Sequence, residues 1–163
     1  RKMRDRNQNS CGAETIDIVA ARTWRHVKEN HMNIQLKPYE HFDEAEIVEL
    51  YSSVGWTVYA AAPDMLKRAY VGSMCVLGAY DGEKLVGMVR AVGDGASIMF
   101  IQDLLILPQY QRMGIGTRLM NALMEKYGNM YQTELMTDNE ERTVAFYRSL
   151  GFKEAGKWGA ARS

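Results

Sequence analysis

Three groups of residues have the types and spacing to do chemistry. Asp103 interrupts the apolar run IQDLLIL. A carboxylate there must be paired, solvated in a cleft or shifted in pKa, and pairing to backbone or to Arg90 would make it structural. The run QYQRMGIGTRLM follows Pro108 and leads into an amphipathic helix, so Gly114-x-Gly116 sits at a helix start. Helix N-termini offer unpaired N–H groups and partial positive charge, which suit phosphates. Glycines there remove the Cβ atoms that would block close approach, and Gln111 and Arg112 add polar and cationic groups at the rim. The same glycines also fit a loop that merely relieves helix packing. The third group is DNEERTVAFYRSLGF, with Asn139, the pair Phe146-Tyr147 and the pair Gly151-Phe152.

Two common phosphate loops are excluded. Thr117, Arg118 and Leu119 follow Gly116, so no third glycine completes GxGxxG, and the turn does not follow an early βα unit. A GK[ST] ending is missing as well.

The elements that must position these groups are legible from period and punctuation. NIQLKP alternates and stops at Pro38, as a strand does. Phe42, Ile47, Leu50 and Tyr51 fall near helical spacing behind Asp43 and Glu44, and a second, shorter helix starts at Pro63. MCVLGAY and KLVGMVRAV flank Asp81-Gly82, a hairpin signal, and SIMFIQDLLILP reads as a third strand of an antiparallel meander. The near-continuous apolar character of that strand predicts that both its faces are covered. Ile115, Leu119, Leu123 and Tyr127 form the core stripe of the next helix. YQTELMT then returns parallel to the third strand. A last helix is predicted with Asp138 as N-cap, Glu141 completing a capping box and Gly151 at the C′ position. The expected class is α+β (mixed α/β), a mostly antiparallel sheet with one parallel βαβ unit and flanking helices.

Composition sets bounds. The chain has 163 residues and no net formal charge, which gives no global field toward nucleic acid or a membrane. Cys11 and Cys75 lack metal spacing, and His26, His31 and His41 form no HxxxH or HExxH pattern, so no metal is expected. Two isolated thiols fit a reducing, cytoplasmic setting. Residues 1–31 hold seven Lys/Arg against four Asp/Glu, and the remainder 13 against 16. The expected organisation is a leader, 1–31, either a remnant of cloning or a native extension, followed by one domain over 32–163.

Taken together, Gln111-x-x-Gly114-x-Gly116 and the later N…FY…GF element resemble the GCN5-related N-acetyltransferase family from about Met32 onward. That resemblance implies acetyl-CoA as co-substrate. Its pyrophosphate would meet Gln111, Arg112, Met113, Gly114, Ile115, Gly116 and Thr117. Its pantetheine arm would meet the backbone of Leu105, Ile106 and Leu107, completing an open strand edge. Asn139 would lie near that arm, or else cap a turn. Tyr147 would protonate the departing thiolate, or else pack beside Phe146. A backbone N–H near Leu105 would stabilise the oxyanion. Asp103 becomes the first candidate base for the amine, with Glu134 weaker. Trp56 and Tyr59 would wall the amine's cleft, or else pack on the core.

The expected activity is acetyl transfer to the primary amine of a small molecule. The alternatives are a non-catalytic acyl-CoA sensor on the same fold and a protein N-terminal or lysine acetyltransferase. GFKEAGKW is expected to start a further strand, after which the family's final strand is missing or truncated. Either TIDIVAA of the leader or a second copy in a homodimer would fill the edge.

Overall fold

The computed structural model describes residues 33–154. The chain divides into two units, Arg1–Asn33 and Ile34–Ser163, and every element below belongs to the second. Strand β1 is Ile34–Pro38, followed by helices α1 (Glu44–Ser53), α2 (Thr57–Ala60) and α3 (Pro63–Val71). Strands β2 (Cys75–Asp81), β3 (Lys84–Gly93) and β4 (Ile98–Ile106) form the meander. A 3-10 turn, Pro108–Tyr110, leads to α4 (Ile115–Tyr127), β5 (Gln132–Leu135) and α5 (Glu141–Ser149).

The sheet runs in the order β1-β2-β3-β4-β5. All pairings are antiparallel except β4 with β5, which is parallel across the α4 crossover. This is the mixed α/β architecture expected from the periods. Helix α1 starts where Asp43 Oδ1 accepts the Glu46 N–H at 3.0 Å, and it buries Ile47, Leu50 and Tyr51. Helix α4 buries Ile115, Leu119, Met120 and Leu123.

A bulge decides what β4 presents. Arg90 pairs with Asp103 but Ala91 pairs with Ile101, so Gln102 is the extra residue. Cross-strand partners share a face. Asp103 and Leu105 therefore lie with Arg90 and Met88, beneath Tyr51 and Tyr70, whereas Ile101 and Met99 lie with Ala91 and Gly93 on the opposite face. The buried side chains switch faces at Gln102, which is why the strand reads as apolar on both.

One local expectation is corrected. Helix α5 starts at Glu141 with Glu140 as its N-cap and no side-chain cap. Asp138 Oδ1 instead accepts the Glu140 N–H at 3.1 Å, so the aspartate closes a turn two residues on and no capping box forms. Residues 152–154 form no strand. The rest of GFKEAGKW, and all of TIDIVAA, lie outside the described residues.

Candidate active site

The loop before α4 is built around an unusual backbone. Arg112 is the non-glycine residue with positive φ among those described, at 65°, and Gly114 follows at 75° as the N-cap of α4. Nothing lies within 4 Å of a Cβ built on Gly114, so its requirement for glycine is conformational. Gly116 differs: its added Cβ would sit 3.5 Å from Phe146 and 3.8 Å from Leu104, ordinary contacts with the opposite wall. The glycines thus have separate tasks, one shaping the turn and one facing a neighbour. Two side chains pin the loop. The Tyr110 hydroxyl donates to Asp81 Oδ2 at 3.0 Å, and Gln111 Nε2 donates to the Ile106 carbonyl at 3.0 Å. The Arg118 N–H bonds the Gly114 carbonyl at 3.0 Å, which leaves the amides of Ile115, Gly116 and Thr117 as the helix's unpaired donors.

Beside the loop, β4 has an open edge. Its pairing with β5 ends at Ile101–Leu135, while pairing with β3 continues to Ile106. Leu107 N–H donates to the Val86 carbonyl at 2.9 Å. Antiparallel pairs two residues apart repeat this pattern, so Leu105 bonds toward β3, and Leu104 and Ile106 turn their amides and carbonyls outward. The Gln111 bond to the Ile106 carbonyl fits that direction. The outward donors are consequently those of Leu104 and Ile106, not that of Leu105.

Loop, edge and α5 enclose a cleft of about 460 Å³. Of the residues picked from sequence, Leu105, Ile106, Gln111, Arg112, Gly114, Ile115, Gly116, Thr117, Tyr147 and Trp56 line it. Leu107 does not: its side chain is core. Met113 and Asn139, the latter in the segment before α5, are exposed and are not among the residues that line the cleft. Tyr59 lines a neighbouring cavity that shares Trp56. Sequence reading missed Leu104, Val54, Tyr110, Arg142 and Thr143, and gave Phe146 no more than a place in the motif. Arg142 and Thr143 stand four residues before Phe146 and Tyr147, so helical periodicity held the signal.

Tyr147 is well placed and well held. The end of α5 is a Schellman motif: Phe152 N–H bonds the Tyr147 carbonyl at 3.1 Å, Gly151 N–H bonds that of Arg148 at 3.0 Å, and Gly151 has φ 90°. The Phe146 and Phe152 rings meet the Tyr147 ring edge-on at 5.1 and 6.0 Å. Burial raises the Tyr147 phenol above its ordinary value, and the Asp138 carboxylate adds to the shift.

Asp103 lies elsewhere. It is 1% exposed, with Oδ2 accepting from Arg90 Nε at 2.5 Å and from the Tyr51 hydroxyl at 2.7 Å, and with Oδ1 unpartnered. Burial opposes the Arg90 charge, but the Asp103 partner outweighs it and raises the guanidinium's pKa. The carboxylate lines neither cavity, so its place fits the structural reading tied to Arg90 and not a base that meets substrate. Glu134 is exposed on β5 and also lies outside both cavities. Among the described residues no group of His, Cys, Asp and Glu could hold a metal ion, and no helix is long and apolar enough to cross a membrane.

Comparison with known proteins gives this geometry a context. Residues 33–152 match the sequence model of the Acetyltransferase (GNAT) family. A GNAT-family acetyltransferase of Streptococcus pneumoniae superposes with a TM-score of 0.70 at 38% identity, covering 80% of this chain and 95% of that one. The PaiA N-acetyltransferase of Thermoplasma acidophilum, solved in complex with coenzyme A, shares the fold at a TM-score of 0.61 and 19% identity, over 78% of this chain and 94% of its own. An uncharacterized N-acetyltransferase of Porphyra purpurea is 28% identical over 109 residues, which span 66% of this chain and 63% of the relative.

Proposed function

The chain belongs to the acetyltransferase (GNAT) family, and from that premise we propose that it moves an acetyl group from acetyl-CoA to the primary amine of a small molecule. One observation carries the reading. The unpaired amides at the start of α4, the open edge of β4 and the Tyr147 side chain all border one cleft. Its parts suit the parts of acetyl-CoA. The Ile115, Gly116 and Thr117 amides, with Arg112 and Arg142 nearby, fit the pyrophosphate. The outward donors and acceptors of Leu104 and Ile106 fit an extended amide-bearing arm laid along the strand.

The chemistry that follows is direct transfer. The amine, once neutral, attacks the thioester carbonyl carbon; a C–N bond forms, the C–S bond breaks, and the nitrogen gives up one proton. An outward amide of Leu104 or Ile106 hydrogen-bonds the carbonyl oxygen as charge gathers there. Tyr147 supplies the proton that the sulfur needs, and its raised pKa keeps the phenol loaded at neutral pH.

Free-thiol release from acetyl-CoA over a series of amines tests the reading directly. Amine-dependent release supports it. Binding of acetyl-CoA without release for any amine would instead favour a non-catalytic acyl-CoA module. One observation speaks for that second reading: among the described residues, no carboxylate lines either cavity to act as base.

A further inference from the structure

The cavity next to the cleft has a chemistry of its own. Its lining includes Trp56, Val58, Tyr59, Gln102 and Met136, and none of its described lining residues carries a charge. Trp56 lines both cavities, so the two are neighbours that share this residue. Apolar surface is left open here: Trp56 is 39% exposed, Val58 82% and Met136 81%. The aromatic wall is firmly backed. Tyr51 stacks on Tyr59 at 5.6 Å and tilts against Trp56 at 6.0 Å, while its hydroxyl is tied to buried Asp103. Gln102, the bulge residue, stands where β4 leaves β5 and offers the amide side chain of the wall.

We propose that this cavity is the acceptor subsite and that it selects a primary monoamine carried on a short aryl or branched-alkyl group. The proposal rests on the acetyl transfer proposed above. A second cation on the acceptor, as in a polyamine, would meet no carboxylate in the described lining, only apolar and neutral side chains. A hydroxyl-rich amino sugar would meet apolar walls with too few hydrogen-bond partners. An apolar tail instead covers the exposed indole, valine and methionine. The Gln102 side-chain oxygen can accept a hydrogen bond from the amine.

The test compares kcat/KM for 2-phenylethylamine, isoamylamine, spermidine, glucosamine and a lysine-containing peptide at fixed acetyl-CoA. The two apolar monoamines should exceed the rest by about tenfold or more. Gln102→Glu should move the spermidine to 2-phenylethylamine ratio upward by about tenfold, with KM for acetyl-CoA unchanged within about twofold. Met136→Glu, at a surface position that folding does not depend on, should move it the same way. Preference of the wild type for spermidine, glucosamine or the peptide overturns the subsite while leaving acetyl transfer standing. An unmoved ratio in both variants also overturns it, and no turnover with any amine removes both proposals.

Discussion

Asp103 and Tyr147 occupy opposite regimes of one physical problem, the ionisable group in a partly dry place. Asp103 is paired with Arg90 and bonded by Tyr51, deep beneath α1. Removing one partner of a buried pair leaves the other uncompensated, commonly at a cost of about 3–5 kcal/mol. Asp103→Asn should therefore lower unfolding free energy in denaturant titration by about 3 kcal/mol, and the acid limb of kcat/KM should stay where it was. Intact stability with a vanished acid limb would return Asp103 to the role of base. Tyr147 keeps its proton because burial, and then Asp138, disfavour the phenolate. Tyr147→Phe should reduce kcat by about 10²-fold, with KM for acetyl-CoA within about twofold. Deprotonation removes the donor and the shift is upward, so any alkaline loss of kcat due to Tyr147 should lie above the usual phenol value, about 10, and be absent in the phenylalanine variant.

At the scale of elements, β4 and the start of α4 set what a ligand can touch. The bulge at Gln102 transfers buried side chains from one face to the other, and the end of β5 pairing frees the edge beyond it. Leu105 is bonded to β3, and Leu104 and Ile106 are not. Hydrogen exchange should register this difference. Adding acetyl-CoA should slow exchange at the Leu104 and Ile106 amides, while Leu105, already protected, changes little. A reversed pattern would refute the strand register as the docking edge. The two loop glycines should also separate. Gly114→Ala forces a side chain into φ 75° and should cost about 1 kcal/mol and weaken acetyl-CoA binding in calorimetry. Gly116→Ala meets only ordinary contacts and should leave stability within about 0.5 kcal/mol.

For the whole molecule, the sheet joins the parts of the cleft. Loop, strand edge and α5 come from segments that the β4-α4-β5-α5 succession folds back on one another. A ligand that binds only this assembled state raises stability by mass action, about 2.7 kcal/mol at a hundredfold excess over Kd. Acetyl-CoA should accordingly raise Tm by about 5–10 °C in a thermal scan. No shift at saturating concentration would count against every reading of the cleft.

Much of this protein is determined within short windows of its sequence. Alternation, helical stripes and turn glycines belong to neighbours along the chain, so five strands, the main helices and the parallel return were legible from them. So was the C′ glycine at 151, because positive φ is a local demand, whereas Gly114 was read only as clearing room for a ligand and its αL turn came from the structure. The pairing of Asp103 was not. A lone acid in an apolar strand reads alike whether it faces a cleft or a buried guanidinium, and the bulge at Gln102 decides which. Nor could sequence assign the outward amides to Leu104 and Ile106, since that depends on register with β3. Arg142 was missed for the same reason: a residue meets the cleft only through how α5 packs, and packing couples positions that the chain keeps far apart.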